Sequence, residues 1–205
     1  MHIRSAGNRC AVHFQSLNLP IADDEAMGIL ESIGYTRVQV DLIGLARDLK
    51  ALSKYRRGAR THEAPGVFDC SGFVKWLYAC RGIEIPRYSI QQFEACHDLP
   101  SEQVVAGDLA FSVGLRPYYR SDPTMGIGHV GIVTDDQTVI HATSSAGGVV
   151  EEPLEAWRNA DGFRGVKRLI PSDMRLITLE CPEEDEVESS SDIRCKILLH
   201  LPHTA

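Results

Sequence analysis

The sequence predicts an α+β fold in which N-terminal helices pack on an antiparallel β-sheet. Three observations predict it. Apolar residues recur at helical spacing through much of the first half of the chain. After Gly107 the pattern changes to short runs rich in Val, Ile and Thr. Helices first and strands afterwards is the order of an α+β domain, not of an alternating α/β sheet.

The elements follow in order. Asp23 to Gly34 reads as a short helix that Asp23 or Asp24 can cap. A second helix is predicted from about Val40 to Lys54, with Ile43, Leu45, Ala46, Leu49 and Leu52 at helical spacing. THEAPGVF is a loop punctuated by Pro65 and Gly66. A third helix begins near Cys70, behind the candidate cap Asp69, and stops at Gly82. Its Phe73, Trp76, Leu77 and Cys80 fall on one face. A short fourth helix covers Ser89 to Ala95. The strand candidates are DLAFSV, IGHVGIVT, TVIHAT, GGVVEEPL and FRGVKRLI.

The ends differ from the centre. Residues 1–38 read as an N-terminal extension and 39–170 as one domain. Residues 171–205 read as a C-terminal extension containing the acidic linker PEEDEVESSSD. Alternating Ile193, Cys195, Ile197, Leu199 and Leu201 predict a strand there, as half of a possible β-hairpin.

Composition excludes several functions. The formal net charge of −7 is the wrong sign for a phosphate backbone, so no nucleic-acid partner is expected. No run approaches the length needed to span a bilayer. The first twenty residues carry Arg4 and Arg9 but no apolar segment of signal-peptide type. The expectation is a cytoplasmic protein or export by a leaderless route. The six cysteines contain no C-x-x-C pair, so reduced thiols are expected and no metal or other cofactor.

One cysteine sits apart from the rest in context. Cys70, in FDCSGFVKWLY, falls at the first turn of a helix, where the dipole and free N–H groups favour a thiolate nucleophile. Those N–H groups also suit a developing oxyanion. His129, flanked by glycines in GHVGIV, is a candidate base. His141, in VIHAT, lies on the next strand. In an antiparallel hairpin the two imidazoles share a face only if the loop between the strands has an odd number of residues. A three-residue loop of Thr134 to Asp136 would set them directly opposite, with His141 orienting His129 and His129 facing Cys70.

This order of DCSGF, GHVGIV and VIHA resembles the NlpC family of papain-like cell-wall cysteine peptidases. GIEIPRYSIQQ and VVAGDLAF extend the resemblance, which runs from about Val40 to Ile170. It implies a papain-like peptidase domain over 39–170 and a thiol hydrolase acting on peptidoglycan stem peptides as a γ-D-glutamyl-diamino-acid endopeptidase. Cys70, His129 and His141 would form its triad. Tyr55, Asp69 and Ser71 match positions near the bound substrate. Tyr55 stands in Tyr-Arg-Arg-Gly-Ala, where the family usually has Tyr-x-x-Gly-Gly. Asp69 has two readings, a contact for a substrate amine or the helix cap. The long loop Ser112 to Ile127 offers Arg116, Tyr118, Tyr119 and Arg120, either as grips for carboxylates or as solvated surface. An N-acetylmuramoyl-L-alanine amidase, an acyltransferase and a non-catalytic binding module remain open on the same scaffold, as does a toxin aimed at rival bacteria.

Overall fold

The computed structural model describes residues 5–116 and 126–202. Its strands are β1 (Arg9–Val12), β2 (Thr36–Val38), β3 (Lys54–Tyr55), β4 (Val67–Phe68), β5 (His97–Asp98) and β6 (Leu109–Val113), followed by β7 (Ile127–Val133), β8 (Thr138–Thr143), β9 (Gly148–Pro153), β10 (Phe163–Arg168) and β11 (Ile177–Glu180). Its helices are α1 (Asp23–Ser32), α2 (Leu42–Asp48), α3 (Cys70–Cys80), α4 (Ser89–Ala95), α5 (Leu154–Arg158) and α6 (Ser190–Leu199). Helices α1, α3 and α4 and strands β6 to β10 lie where the sequence places them. Helix α2 is shorter than predicted. Asp41 starts it by accepting the Gly44 N–H at 2.9 Å, and the chain then turns so that Lys54 joins β3. Leu52, counted on its apolar face, is 72% exposed.

The chain divides into two compact units, Asp41–Leu77 with Ile85–Pro171, and Met1–Val40 with Tyr78–Glu84 and Ser172–Ala205. The first holds an eight-stranded sheet in the order β4-β3-β9-β8-β7-β6-β10-β5, antiparallel except for β3 against β4. Leu109, Phe111, Val130, Ile132 and Ile140 are fully buried, as expected for a sheet covered on the face they share. Phe93 of α4 meets Phe111 edge-on at 5.2 Å, which fixes that helix on this face. On the other face, Trp157 and Leu154 of α5 pack with Ala110, Val133 and Val139. Asp108, at the mouth of β6, is buried and held by the Arg168 guanidinium through two contacts of 2.8 and 2.9 Å.

The second unit is assembled from both terminal segments. Its sheet runs β1-β11-β2, all antiparallel. Cys10, Val12, Leu30, Tyr35, Leu179, Ile193 and Ile197 make its core. Gly82 has φ +77°, and a Cβ there would sit 2.8 Å from the backbone of Cys10. Only glycine lets its carbonyl approach and accept the Ala11 N–H at 3.0 Å.

The C-terminal segment departs from expectation. The predicted strand over residues 193–201, and with it the possible hairpin, is replaced by helix α6. Ser189 and Asp192 form a reciprocal capping box, and Ile193 and Ile197 lie one helical turn apart on the buried side. The period-two pattern there was a helical i, i+4 pair with other apolar residues between. The acidic stretch before it is anchored as well as solvated. Val187 is buried in the core, and Asp185 accepts from the Tyr35 hydroxyl at 2.8 Å and pairs with Lys196 at 2.7 Å.

Candidate active site

Helix α3 starts at Cys70 because Asp69 terminates the extended chain before it. Its Oδ1 accepts the Gly72 N–H at 2.7 Å and its carbonyl accepts that of Phe73 at 2.9 Å. A Cβ on Gly72 would lie 2.9 Å from that same carboxylate, so the small residue is a steric requirement. Asp69 is itself held. The Arg87 guanidinium reaches it twice, at 2.9 and 2.6 Å, and also donates to Ser71 Oγ and to the Ala59 carbonyl. Gly58 N–H supplies another donor to Asp69 at 3.1 Å. The helix start, the loop at 58–59 and the segment bearing Arg87 are thus tied to one carboxylate.

The histidine strand is irregular where it matters. Ser112 pairs with His129, but Val113 pairs with Ile127, so Gly128 is an extra residue in β7. A bulge of this kind leaves a carbonyl outside the ladder and re-aims the neighbouring side chain. The Gly128 carbonyl accepts from Cys70 Sγ at 3.8 Å. Cys70 and His129 line the same cleft.

The two imidazoles meet. Val133 pairs with Val139 and Ile132 with Ile140, so Asp135 to Gln137 close the turn and the odd loop required for a shared face is present. The register differs by two residues from the direct opposition considered above. His141 faces Gly131, and His129 is its diagonal neighbour. His129 Nε2 lies 2.8 Å from His141 Nδ1. Gly131 makes this reach possible: a Cβ there would fall 2.5 Å from Val139 Cγ1 and 2.9 Å from His141 Cβ. Trp157 stacks on His129 at 5.4 Å and 21° and stands edge-on to His141 at 4.9 Å, shielding the imidazole pair from water.

The cleft has a volume of about 420 Å³. Tyr55, Asp69, Cys70, Ser71 and His129 line it, together with Arg57, Tyr88, Leu115 and Arg116. Tyr55 is set beside Cys70 by the parallel bridge that pairs it with Phe68, two residues before that cysteine. Tyr118, Tyr119 and Arg120 lie outside the described residues. His141 lies behind His129, 4% exposed.

Burial disfavours charge on both Cys70 and His129. Burial, and then the adjacent Asp69 charge, push the Cys70 thiol up to about 11, against the pull of the Ser71, Val130 and Cys70 backbone groups. Burial pushes His129 down to about 3 and His141 down to about 4. The backbone groups at the helix start pull toward the thiolate, and desolvation by burial is the larger influence.

Sequence reasoning missed Arg87, Trp157 and the Gly128 bulge. Arg87 lay in a quoted motif, and Trp157 is one of only two tryptophans in the chain. The bulge carried no signal beyond its glycine.

Comparison with known proteins agrees in extent with this site. The model of the NlpC/P60 family matches residues 53–166. The probable endopeptidase p60 of Listeria innocua is 37% identical over 78 residues, covering 38% of this chain and 15% of that protein. The bifunctional muramidase/DL-endopeptidase CwlT of Bacillus subtilis is 33% identical over 94 residues, covering 45% of this chain and 26% of that protein. The chain therefore spans well under half the length of these relatives. Among solved structures, an NlpC/P60 family protein from Bacillus cereus superposes with a TM-score of 0.50 at 27% identity, over 64% of this chain and 40% of that one. NlpC1 from Trichomonas vaginalis superposes at 0.52 and 21% identity, over 63% and 45%, and speaks for the papain-like fold alone.

Proposed function

We propose that this chain, which belongs to the NlpC/P60 family, is a cysteine peptidase that hydrolyses an amide bond in peptidoglycan stem peptides, with Cys70 as nucleophile, His129 as base and His141 as its orienting partner. One observation carries the reading: Cys70 and His129 line a common cleft while His129 Nε2 is engaged by His141 at 2.8 Å, which leaves Nδ1 for the thiol. The names of the relatives, endopeptidase and DL-endopeptidase, point the same way.

Proton transfer then accompanies attack. Sγ bonds to the scissile carbonyl carbon as its proton passes to His129 Nδ1. The Cys70 and Ser71 N–H groups at the start of α3 receive the oxyanion. On collapse, the C–N bond breaks and the leaving amine takes the proton from His129. Water, activated by the same imidazole, releases the acyl group and restores the thiol. His141 holds the imidazole in position, and Trp157 keeps the site dry.

Substrate preference follows from the cleft walls. Arg57 and Arg116 line it, and the Asp69 carboxylate is already paired with Arg87. The cationic side chain of Arg116 in this lining favours a peptide carrying carboxylates, as a γ-D-glutamyl-diamino-acid segment does. Tyr55 and Ser71 stand where they can contact the substrate beside the sulfur. The test is digestion of purified muropeptides by wild type, Cys70→Ala and His129→Ala, with products identified by mass. The expected outcome is cleavage between D-glutamate and the diamino acid by wild type alone. Release of intact stem peptide from muramic acid would identify an amidase instead, and cleavage by either variant would overturn the mechanism.

A further inference from the structure

The diagonal that joins His129 to His141 continues onto the next strand. Val139 pairs with Glu152 and His141 with Val150, so Glu152 lies on the face that carries His141, one diagonal step further along. Glu152 Oε2 is 3.2 Å from His141 Nε2. That nitrogen is buried and makes no well-angled hydrogen bond among the described residues. Glu151, on the opposite face, is taken up by Lys50, Arg47 and Thr138. Strand alternation thus separates one glutamate, locked in a surface ion-pair network, from another aimed at an orphaned imidazole nitrogen.

We propose that Glu152 is a positioning residue whose carboxylate fixes the tautomer of His141 and thereby leaves His129 Nδ1 unprotonated. The inference rests on the reading of Cys70 and His129 as nucleophile and base. It follows from proton counting along the chain of contacts. Two neutral imidazoles sharing one Nε2···Nδ1 hydrogen bond have two arrangements. In one, His141 carries its proton on Nδ1 and donates to His129 Nε2. His129 then holds its own proton on Nδ1 and cannot accept another from Cys70. In the other, His141 carries its proton on Nε2, and its bare Nδ1 accepts from His129 Nε2–H. Only this second arrangement leaves His129 Nδ1 able to act as a base. A carboxylate beside His141 Nε2 can accept but cannot donate, so it selects the productive arrangement. After His129 takes the thiol proton, the same carboxylate lies two contacts from the new positive charge and favours it.

The experiment compares wild type with Glu152→Ala and Glu152→Gln, whose amide oxygen can still accept from Nε2. Long-range 1H–15N correlation of the ring nitrogens reads the tautomers directly in the resting protein. Steady-state cleavage of a stem peptide gives kcat and KM, and thermal unfolding reports on the fold. The expected result for E152A is a mixture of His141 tautomers and a kcat lowered about 10- to 100-fold, with KM within about twofold of wild type. E152Q is expected to keep the wild-type tautomer and most of the rate. Wild-type ring nitrogens and an unchanged kcat in E152A would overturn the proposal. So would equal losses in both variants accompanied by a lowered Tm, which would mark a structural role. If the wild type cleaves no stem peptide, the functional reading fails, and the nitrogen spectra still decide the tautomer.

Discussion

Replacing Gly131 by alanine tests how the imidazole pair is built. Gly131 has an ordinary strand backbone, so alanine meets no conformational penalty there, and an unfolded-state gain of about 0.4–1 kcal/mol opposes the clash of the added methyl. That methyl would stand 2.5 Å from Val139 Cγ1, 2.9 Å from His141 Cβ and 3.0 Å from the Ile140 carbonyl. The last two contacts involve a side-chain root and a backbone atom, which yield only if strand β8 shifts. Overpacking of this kind costs about 1–3 kcal/mol. For a domain of this size that is a Tm lowered by about 2–12 °C. The shift also carries His141 away from His129, and a displacement near 1 Å at a catalytic group costs about 100-fold in rate. The assay is thermal unfolding together with kcat/KM on a stem peptide. Gly28→Ala is the control. Gly28 lies inside α1 with nothing within 4 Å of the added Cβ, and its substitution should stabilise by about 0.5–1 kcal/mol without touching activity. A G131A protein with wild-type Tm and rate would refute the reasoning, because the imidazole pair would then not depend on the empty position opposite His141.

Other outcomes follow from the same geometry. Arg87→Met leaves the mostly buried Asp69 carboxylate unpaired and should cost about 3–5 kcal/mol. Adding Asp69→Asn should recover part of that loss in a double-mutant cycle, and strictly additive unfolding energies would contradict the clamp. Acid should destabilise the fold through the two imidazoles. Both have lowered pKa values, so below 6.5 the unfolded chain binds protons that the folded site refuses. Their contribution is intact above pH 6.5 and is lost as pH falls toward 4 and then 3, by up to about 1.4 kcal/mol per pH unit for each imidazole. A pH series of unfolding midpoints on His141→Asn should therefore fall less steeply than wild type, and parallel curves would be the contrary result. Alkylation of Cys70, read site by site by mass, should rise with every pH unit from 6 to 10. A plateau extending below pH 7 would reveal a thiolate–imidazolium pair at rest and contradict the raised thiol pKa.

Much of this protein was legible in its sequence, for reasons that differ by region. Cys70 announced a helix start because Asp69, Ser71 and Gly72 supply a cap and small neighbours ahead of an apolar stripe. His129 and His141 could be placed on one face by parity alone, since any odd loop suffices. Their two-residue offset could not be read, because Thr134 and Thr138 pair across the turn and lengthen the ladder. The clamp of Arg87 on Asp69 joins residues 18 apart through a folded loop, and no local pattern encodes it. Glu152, on β9, and Trp157, on α5, lie after the motifs, where sequence reasoning saw only a strand and its end. The C-terminal helix was misread because its alternation matched a strand, although Ser189 and Asp192 spelled its beginning.

The three-stranded sheet β1-β11-β2 has a consequence for how the protein is made. Roughly 165 residues separate Val12 from Ile177, so at ordinary ribosomal speeds the first strand waits roughly 10–30 s for its neighbour. Through that interval Cys10, Val12 and Leu30 have no finished interior to enter, and the segment that bears them stays exposed on the nascent chain. Chaperone contact with the emerging polypeptide should therefore concentrate on the segment from Arg9 to Val38 and persist until β11 has left the exit tunnel.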